Sequence, residues 1–502
     1  MSLIQIRDLK FRYDNSYDMV FDGVSFSFDT NYKTALIGRN ARGKTTFLKL
    51  LMNAYEYQGE IIKNVECVYF PYQVNDPQDW TINICEEMLS DFEQWKLEKE
   101  LNALEVSLDV LYRPFETLSQ GEQTKVLLAL LFLKEYTYLL IDEPTNHLDQ
   151  HSREKVSQYL NKQKGFLLVS HDRHFIDMCC DHVIAFNPES IDVVKGNFSS
   201  WYENKQNEDQ NEIQRNDKLK KDIARLEVSS RQSSHWSDEV EKTKIGQRVS
   251  GLRPDRGFIG HKAAKMMKRS KNLEKRQNKA IQEKKGLLKN IEEYDDLKMH
   301  PLTYEGRTLI EMNHGVLSYP DKVLCYDFSM VIHPHDRLLL KGHNGCGKSS
   351  VIRYLLNEDV LFDGETFQGS RLKISYVPQD CRFLEGELND LIEEHDVDET
   401  LVKTILRKLG FSRIHLEKRL EDLSEGQKKK VMLAISLSTS AHLYIWDEPL
   451  NYIDIFSRMQ IEKVILEYQP TLLFVEHDAY FQDAVATNII DFDRLALESS
   501  IE

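Results

Sequence analysis

The sequence is poor in features that would tie it to a membrane or to an oxidising compartment. Among its 502 residues no apolar run approaches the roughly 18–20 needed to span a bilayer, so no transmembrane segment is expected. Its start, Met1-Ser2-Leu3-Ile4-Gln5-Ile6-Arg7, lacks the apolar stretch of a secretory signal. The 7 cysteines include no Cys-x-x-Cys pair, so neither a zinc site nor a disulfide framework is indicated, and the adjacent Cys179 and Cys180 read as ordinary buried thiols. A soluble, cytoplasmic protein is expected. Positive charge is also scarce: 65 Lys and Arg against 81 Asp and Glu leave a net charge of −16, which argues against a general nucleic-acid binder. The scarcity is uneven. Residues 205–300 hold 24 basic and 16 acidic side chains, and within 242–289 the balance is 16 to 3. A basic segment on an acidic body implies an anionic partner for that segment alone.

What the chain does contain, it contains twice. Gly38-Arg-Asn-Ala-Arg-Gly-Lys-Thr45 recurs as Gly342-His-Asn-Gly-Cys-Gly-Lys-Ser349, Leu118-Ser-Gln-Gly121 as Leu423-Ser-Glu-Gly426, Ile141-Asp-Glu-Pro144 as Trp446-Asp-Glu-Pro449, and Ser170-His-Asp172 as Glu476-His-Asp478, at offsets of 304 to 306 residues. Offsets this constant mean a duplicated domain. The expected architecture is α/β: one domain over 1–202, a second over 301–502, and an unduplicated spacer over 203–300, with each domain long enough for its own core.

Each copy reads as an ATP site. Lys33–Gly38 and Leu338–Gly342 are short apolar strands that enter a glycine turn and then a helix, which is the context of a P-loop. Its backbone N–H groups and the helix N-terminus suit phosphate. Gly38, Asn40, Gly43, Lys44, Thr45 and Thr46 are the expected phosphate contacts in the first copy, and Gly342, Asn344, Gly345, Gly347, Lys348, Ser349 and Ser350 in the second. Ala41 stands where the second loop has Gly345, a methyl that shifts or is absorbed by the turn. The strands Tyr138–Asp142 and Leu443–Asp447 end in acids. Asp142 and Asp447 are expected to hold Mg2+ with Thr45 and Ser349. Glu143 and Glu448 are expected to activate the attacking water, and His171 and His477 to sense the γ-phosphate. A carboxylate pair at a strand end also serves as a helix cap, and a lone histidine is more often structural; the matched offsets favour the chemical role.

Walker A, Leu-Ser-x-Gly, Walker B with its glutamate and the following histidine together resemble ABC-type ATPases, over nearly the whole chain outside 205–300. That resemblance implies two sites shared between the domains. Lys44, Asp142, Glu143 and His171 would be capped by Ser424 and Gly426, while Lys348, Asp447, Glu448 and His477 would be capped by Ser119 and Gly121. It also implies that Gln73 and Gln379 are the Q-loop glutamines and that Tyr13 and Tyr319 stack on adenine, although simple packing is the plainer role for a tyrosine after a strand. Gln120 and Glu425 depart from the family's middle glycine.

The spacer carries the narrower signal. Residues 203–246 contain no proline, and 259–296 repeat small and apolar positions by three and four, so an antiparallel helical hairpin is expected, about 60 Å long at helical rise, with an irregular tip near 246–258. Lys262, Lys265, Lys268, Arg269, Lys271, Lys275, Arg276 and Lys279 line the returning helix. The bland reading is a solvated coiled-coil face; the sign imbalance favours phosphate backbone. Glu143-Pro-Thr-Asn-His-Leu-Asp149 resembles the ABC-F branch, two fused ABC domains that act on ribosomes. Residues 257–273 resemble the interdomain linker of antibiotic-resistance ABC-F proteins of the Vga and Lsa type. What this implies is a monomer whose paired domains close on ATP and bind the exit-tRNA site of the ribosome. Lys244, Arg248, Leu252, Arg253 and Phe258 would then meet 23S rRNA near the peptidyl-transferase centre and P-site tRNA, protecting against pleuromutilins, lincosamides and streptogramin A. The similar spacing of Lys44 to Ser119 (75 residues) and Lys348 to Ser424 (76) implies no large arm insertion in the first half, and the end soon after Asn488–Phe492 no C-terminal extension. Two other readings stay open: a housekeeping ABC-F translation factor, and the ATPase subunit of a membrane exporter. A coiled-coil DNA-repair ATPase fits less well, since that family inserts its coil inside an ABC domain.

Overall fold

The computed structural model describes residues 2–14, 19–40, 42–89, 93–134, 136–146, 148–187, 190–242, 296–320 and 322–494, with the helical positions Lys265, Lys268, Asn272, Lys275, Arg276 and Lys279. Ala41 and the expected tip, with Lys244, Arg248, Leu252, Arg253, Phe258, Lys262 and Arg269, lie outside the described residues. The chain divides into one compact unit of Met1–Trp201 with Tyr294–Glu502 and a second of Tyr202–Glu293.

The first unit contains two α/β halves. In the N-terminal half the strands run in the order Glu66–Phe70, Thr137–Asp142, Phe166–Val169, Lys33–Gly38, His182–Phe186 and Ile191–Lys195, parallel except for the last. In the C-terminal half the order is Ile374–Val377, Leu443–Asp447, Leu472–Val475, Arg337–Lys341 and Asn488–Asp491, parallel throughout. The inner strands are apolar runs because helices cover both faces of a parallel sheet: Phe166–Val169 and Leu472–Val475 are buried at every position. Each half adds an antiparallel three-stranded sheet, Phe21–Asp29, Leu3–Phe11 and Gln58–Ile62 in one, Lys322–Ile332, Ile310–Tyr319 and Leu361–Gln368 in the other. Between the two sheets of the N-terminal half lies a core that includes Ile4, Phe28, Leu36, Phe47 and Leu140. Both phosphate loops, both acidic strand ends and both histidines fall at the C-terminal ends of parallel strands, where such sheets bind ligands.

The spacer enters through one helix, Phe198–Lys242, of 45 residues, or roughly 68 Å at helical rise. It starts 5 residues earlier than the polar pattern at 203 indicates. The reason is packing: Phe198 and Trp201 are buried, and the Trp201 ring meets Phe456 edge-on at 6.3 Å. Asn197 begins the helix by accepting from the Ser200 N–H at 3.1 Å. In the second unit Lys265, Lys268, Lys275, Arg276 and Lys279 are helical and exposed. Among the described residues no helix is long and apolar enough to cross a membrane.

Candidate active site

The first phosphate loop joins Lys33–Gly38 to the helix Lys44–Leu51, and the second joins Arg337–Lys341 to Lys348–Leu355. Gly43 turns at φ +86°, and a Cβ there would lie 2.7 Å from Val20 Cγ1, so only glycine fits. Gly347 holds the matching φ of +110°. Both loop lysines are buried inside the turn. Lys44 Nζ donates to the carbonyls of Gly38 (2.7 Å) and Arg39 (3.2 Å), and Lys348 Nζ to those of Gly342 and His343 (2.8 Å each). Burial lowers the Lys44 ammonium, partly offset by Asp454, Glu143 and Asp142. Tyr13 and Tyr319 behave alike: their hydroxyls bond Thr46 Oγ1 (2.7 Å) and Ser350 Oγ (3.2 Å), on the helix that follows each loop. The Tyr13 ring also meets Phe11 and Tyr55 edge-on.

Thr45 Oγ1 and Tyr69 OH both donate to Asp142 Oδ2 at 2.9 Å. Ser349 bonds the Asp447 carboxyl, whose Oδ1 is buried without a hydrogen-bond partner. Burial raises both acids, Asp447 to about 6. A hydroxyl beside a carboxylate with an orphaned oxygen is a hard oxygen-donor set, which fits Mg2+.

The next residue is strained in both halves. Glu143 and Glu448 sit at φ +51° and +46°, a left-handed region that costs a non-glycine residue about 1–3 kcal/mol. Their N–H groups donate to Val169 O (2.8 Å) and Val475 O (3.0 Å), the last residue of the neighbouring strand. That bond holds the turn and aims each carboxyl at the histidine following that strand. His171 Nε2 lies 3.3 Å from Glu143 Oε1, and His477 Nε2 3.6 Å from Glu448 Oε1. The two carboxyls differ electrostatically. Burial, with Asp142 next to it, pushes Glu143 up to about 8. Burial also pushes Glu448 upward, but His477, Gln379 and Lys429 outweigh it and hold it at about 2. Asn451 Nδ2 donates to Glu448 Oε2 at 2.6 Å.

Each loop faces the other half. Arg39 Nη2 donates to Lys408 O (2.8 Å) and Asn40 Nδ2 to Tyr452 O (3.2 Å). That same Tyr452 carbonyl would lie 2.6 Å from a Cβ on Gly426, so the first loop and the second signature turn meet on one residue. Across the pseudo-symmetric site a cavity of about 730 Å³ is lined by Ser119 and Gly121 from one half and by Tyr319, Lys348, Ser349, Gln379, Glu448 and His477 from the other, a volume ordinary for a small-molecule site. Ser119 and Ser424 cap their helices in capping boxes with Glu122 and Gln427, and the Ser119 end of its helix lines that cavity. Gln73 is exposed, whereas Gln379 lines the same cavity with Glu448. Arg173 also crosses between halves, to Glu462 Oε2 at 2.6 Å and over the Tyr480 ring at 5.3 Å.

Several supporting residues lie outside the motifs. Arg153 pairs with Asp172 (3.0 Å) and Arg458 with Asp478 (2.9 Å), joining the loop after each glutamate to the histidine segment. Lys430 pairs with the fully buried Asp454 at 2.6 Å. The repeat offset itself marks the arginine pairs, since Arg153 and Arg458 are 305 residues apart and Asp172 and Asp478 are 306 apart.

The profile of the family described as ABC transporter matches residues 21–146 and 325–451, just over half the chain. A relative in Bacillus subtilis strain 168, ribosome protection protein VmlR, is 26% identical over 97% of this chain and 87% of its own length. ATP-binding protein Uup of Buchnera aphidicola subsp. Acyrthosiphon pisum is 28% identical over 96% and 79%. Among solved structures, the archaeal ribosome recycling factor aABCE1, in complex with the ribosomal stalk protein aP1, superposes with a TM-score of 0.62 at 20% identity over 96% of this chain and 87% of that one, a likeness of fold. With the doubled loops, acids and histidines in place, the chain belongs to the ABC transporter ATPase family, as a tandem of two ATP-binding, ATP-hydrolysing domains.

Proposed function

We propose that this ATPase is an ABC-F protein of the cytoplasm that binds the ribosome from the exit-tRNA site and protects the peptidyl-transferase centre from pleuromutilins, lincosamides and streptogramin A. The observation that carries the reading is the basic spacer, 16 basic to 3 acidic residues over 242–289, entered by a 45-residue helix, in a chain otherwise strongly acidic. Such a charge rewards a phosphate backbone. Similarity to a ribosome protection protein over nearly the full length supports it.

In this reading Lys44 and Lys348 neutralise β- and γ-phosphate oxygens, and the opposite half's Ser424 with Gly426, or Ser119 with Gly121, completes each site. Thr45 with Asp142 and Ser349 with Asp447 would hold Mg2+, which when bound neutralises phosphate charge. Glu143 and Glu448 orient the attacking water and accept its proton, and His171 and His477 hold the glutamates toward the γ-phosphate. Two ATP molecules keep the halves closed, and the closed form presents the spacer to 23S rRNA and P-site tRNA. Hydrolysis reopens it.

The double substitution Glu143→Gln, Glu448→Gln tests the cycle. It should bind ATP, stay with ribosomes through a sucrose cushion and slow growth. Free exchange of that variant off ribosomes in ATP refutes the clamp. Unchanged inhibitory concentrations of lincosamides and pleuromutilins on deletion, with ribosome binding intact, would leave a translation factor instead of a resistance factor. Sedimentation with membranes and not with ribosomes would favour the exporter subunit.

A further inference from the structure

The two ATP sites are duplicated in sequence but supported differently. Five residues beyond the signature serine the first half has Thr124 and the second has Lys429. Lys429 is 2% exposed on the helix Glu425–Ser438. Its ammonium donates to three backbone carbonyls: Pro378 at 2.6 Å, Gln379 at 3.1 Å and Asp447 at 3.1 Å. An ammonium has three donors, so all are used. Two of the carbonyls belong to the Q-loop and the third to the residue before Glu448. The Gln379 side chain in turn is one of the groups that hold the Glu448 carboxyl below its usual range. One cation thus fastens the loop that carries Gln379 and the strand end that carries Glu448 to the helix behind the signature serine.

The first half has no lysine at the matching position, where Thr124 stands. A threonine hydroxyl has one donor and a side chain too short to bridge three carbonyls. The first Q-loop is also one residue longer, since Pro71 and Gln73 flank Tyr72 whereas Pro378 and Gln379 are adjacent. There, Tyr69 OH reaches Asp142 directly at 2.9 Å.

We propose that Lys429 is a positioning residue for the second ATP site, tying the Q-loop to Glu448 so that the glutamate is placed only when Gln379 is, and that the first site works without this tie. The inference rests on the roles assigned above to Glu448 and Gln379. It makes hydrolysis at the second site sensitive to the Q-loop in a way the first is not. A misplacement of about 1 Å at a reacting group costs up to about a hundredfold in rate.

Single-turnover hydrolysis of radiolabelled ATP by excess full-length protein tests it, with one site silenced at a time. In a Glu143→Gln background, adding Glu448→Gln should remove the remaining hydrolysis; if it does not, the assignment of Glu448 fails, independently of Lys429. In that same background Lys429→Met should lower the rate about tenfold or more while the half-saturating ATP concentration changes less than about threefold, and Lys429→Arg should restore part of the rate. In a Glu448→Gln background, where the first site turns over, Lys429→Met should leave the rate within about twofold. Equal losses in both backgrounds, or no loss in the first, overturn the proposal. If Lys429→Met is not recovered folded, Lys429→Gln, which keeps two donors, is read by the same criteria.

Discussion

Arg458→Met isolates what the buried ion pairs contribute to the catalytic scaffold. Arg458 lies on the helix Ile455–Tyr468, and its Nη1 reaches Asp478 Oδ2 at 2.9 Å, with 8% and 0% of the two side chains exposed. Its Nε donates to Ile453 O at 2.9 Å. Asp478 follows His477 and caps the next helix by accepting from the Phe481 N–H at 3.1 Å. Burial pushes the Asp478 carboxyl up, but Arg458 and then Arg173 outweigh it and hold it below the usual carboxylate range. Methionine fills similar volume and removes the charge, so the main loss is a stranded buried carboxylate. Breaking such a pair from one side costs about 3–5 kcal/mol. Because Arg173 still acts on Asp478, the lower end applies, about 3 kcal/mol, or roughly a hundredfold in the local opening equilibrium. Hydrogen exchange of the amides of residues 474–482 reads it directly, and denaturant unfolding gives the global value. Converting Asp478 to Asn in the Arg458→Met background removes the stranded charge and keeps an acceptor for Phe481, so the double variant should be the more stable of the two. A cost below about 1 kcal/mol for Arg458→Met, or a double variant that is no more stable, would refute the reasoning. Arg153→Met should cost less, since Arg153 and Asp172 are more exposed, at 10% and 5%.

Two further outcomes follow from the site and the spacer. Gly43→Ala places a methyl at φ +86° and 2.7 Å from Val20 Cγ1, so equilibrium binding of a non-hydrolysable ATP analogue should fall from two equivalents toward one, with the second site retained. If the spacer meets RNA backbone, Lys265→Ala with Lys268→Ala should weaken ribosome binding and reduce the salt slope of log K by roughly 2; an unchanged slope places those lysines away from phosphate.

Much of the site was legible before any coordinates because phosphate chemistry is local. A P-loop works through consecutive backbone N–H groups and one lysine, so Gly38–Thr45 and Gly342–Ser349 are recognisable as contiguous text. The acids and histidines were legible because each ends an apolar strand. The helix start at Phe198 was not, since what extends it is burial of Phe198 and Trp201 on residues far along the chain, and a polarity pattern carries no record of that. The buried pairs of Arg153 and Arg458 were present in the repeat offsets, but arginine and aspartate are common enough that only proximity singles them out. Nor does sequence distinguish a lysine in water from Lys429, whose three carbonyl partners come from two other segments.

By itself the sequence determined the doubled ATPase motifs and the basic character of the segment between the copies. These follow from short-range chemistry and from composition. The tertiary structure alone decided how the two copies meet and how the surroundings of their glutamates differ. Arg39 bonds a carbonyl 369 residues away, the two glutamates sit in left-handed turns fixed by a neighbouring strand, and their carboxyls are pushed in opposite directions by different surroundings. Hydrogen bonds and burial act between groups close in space, and closeness across hundreds of residues is set by packing of the whole fold.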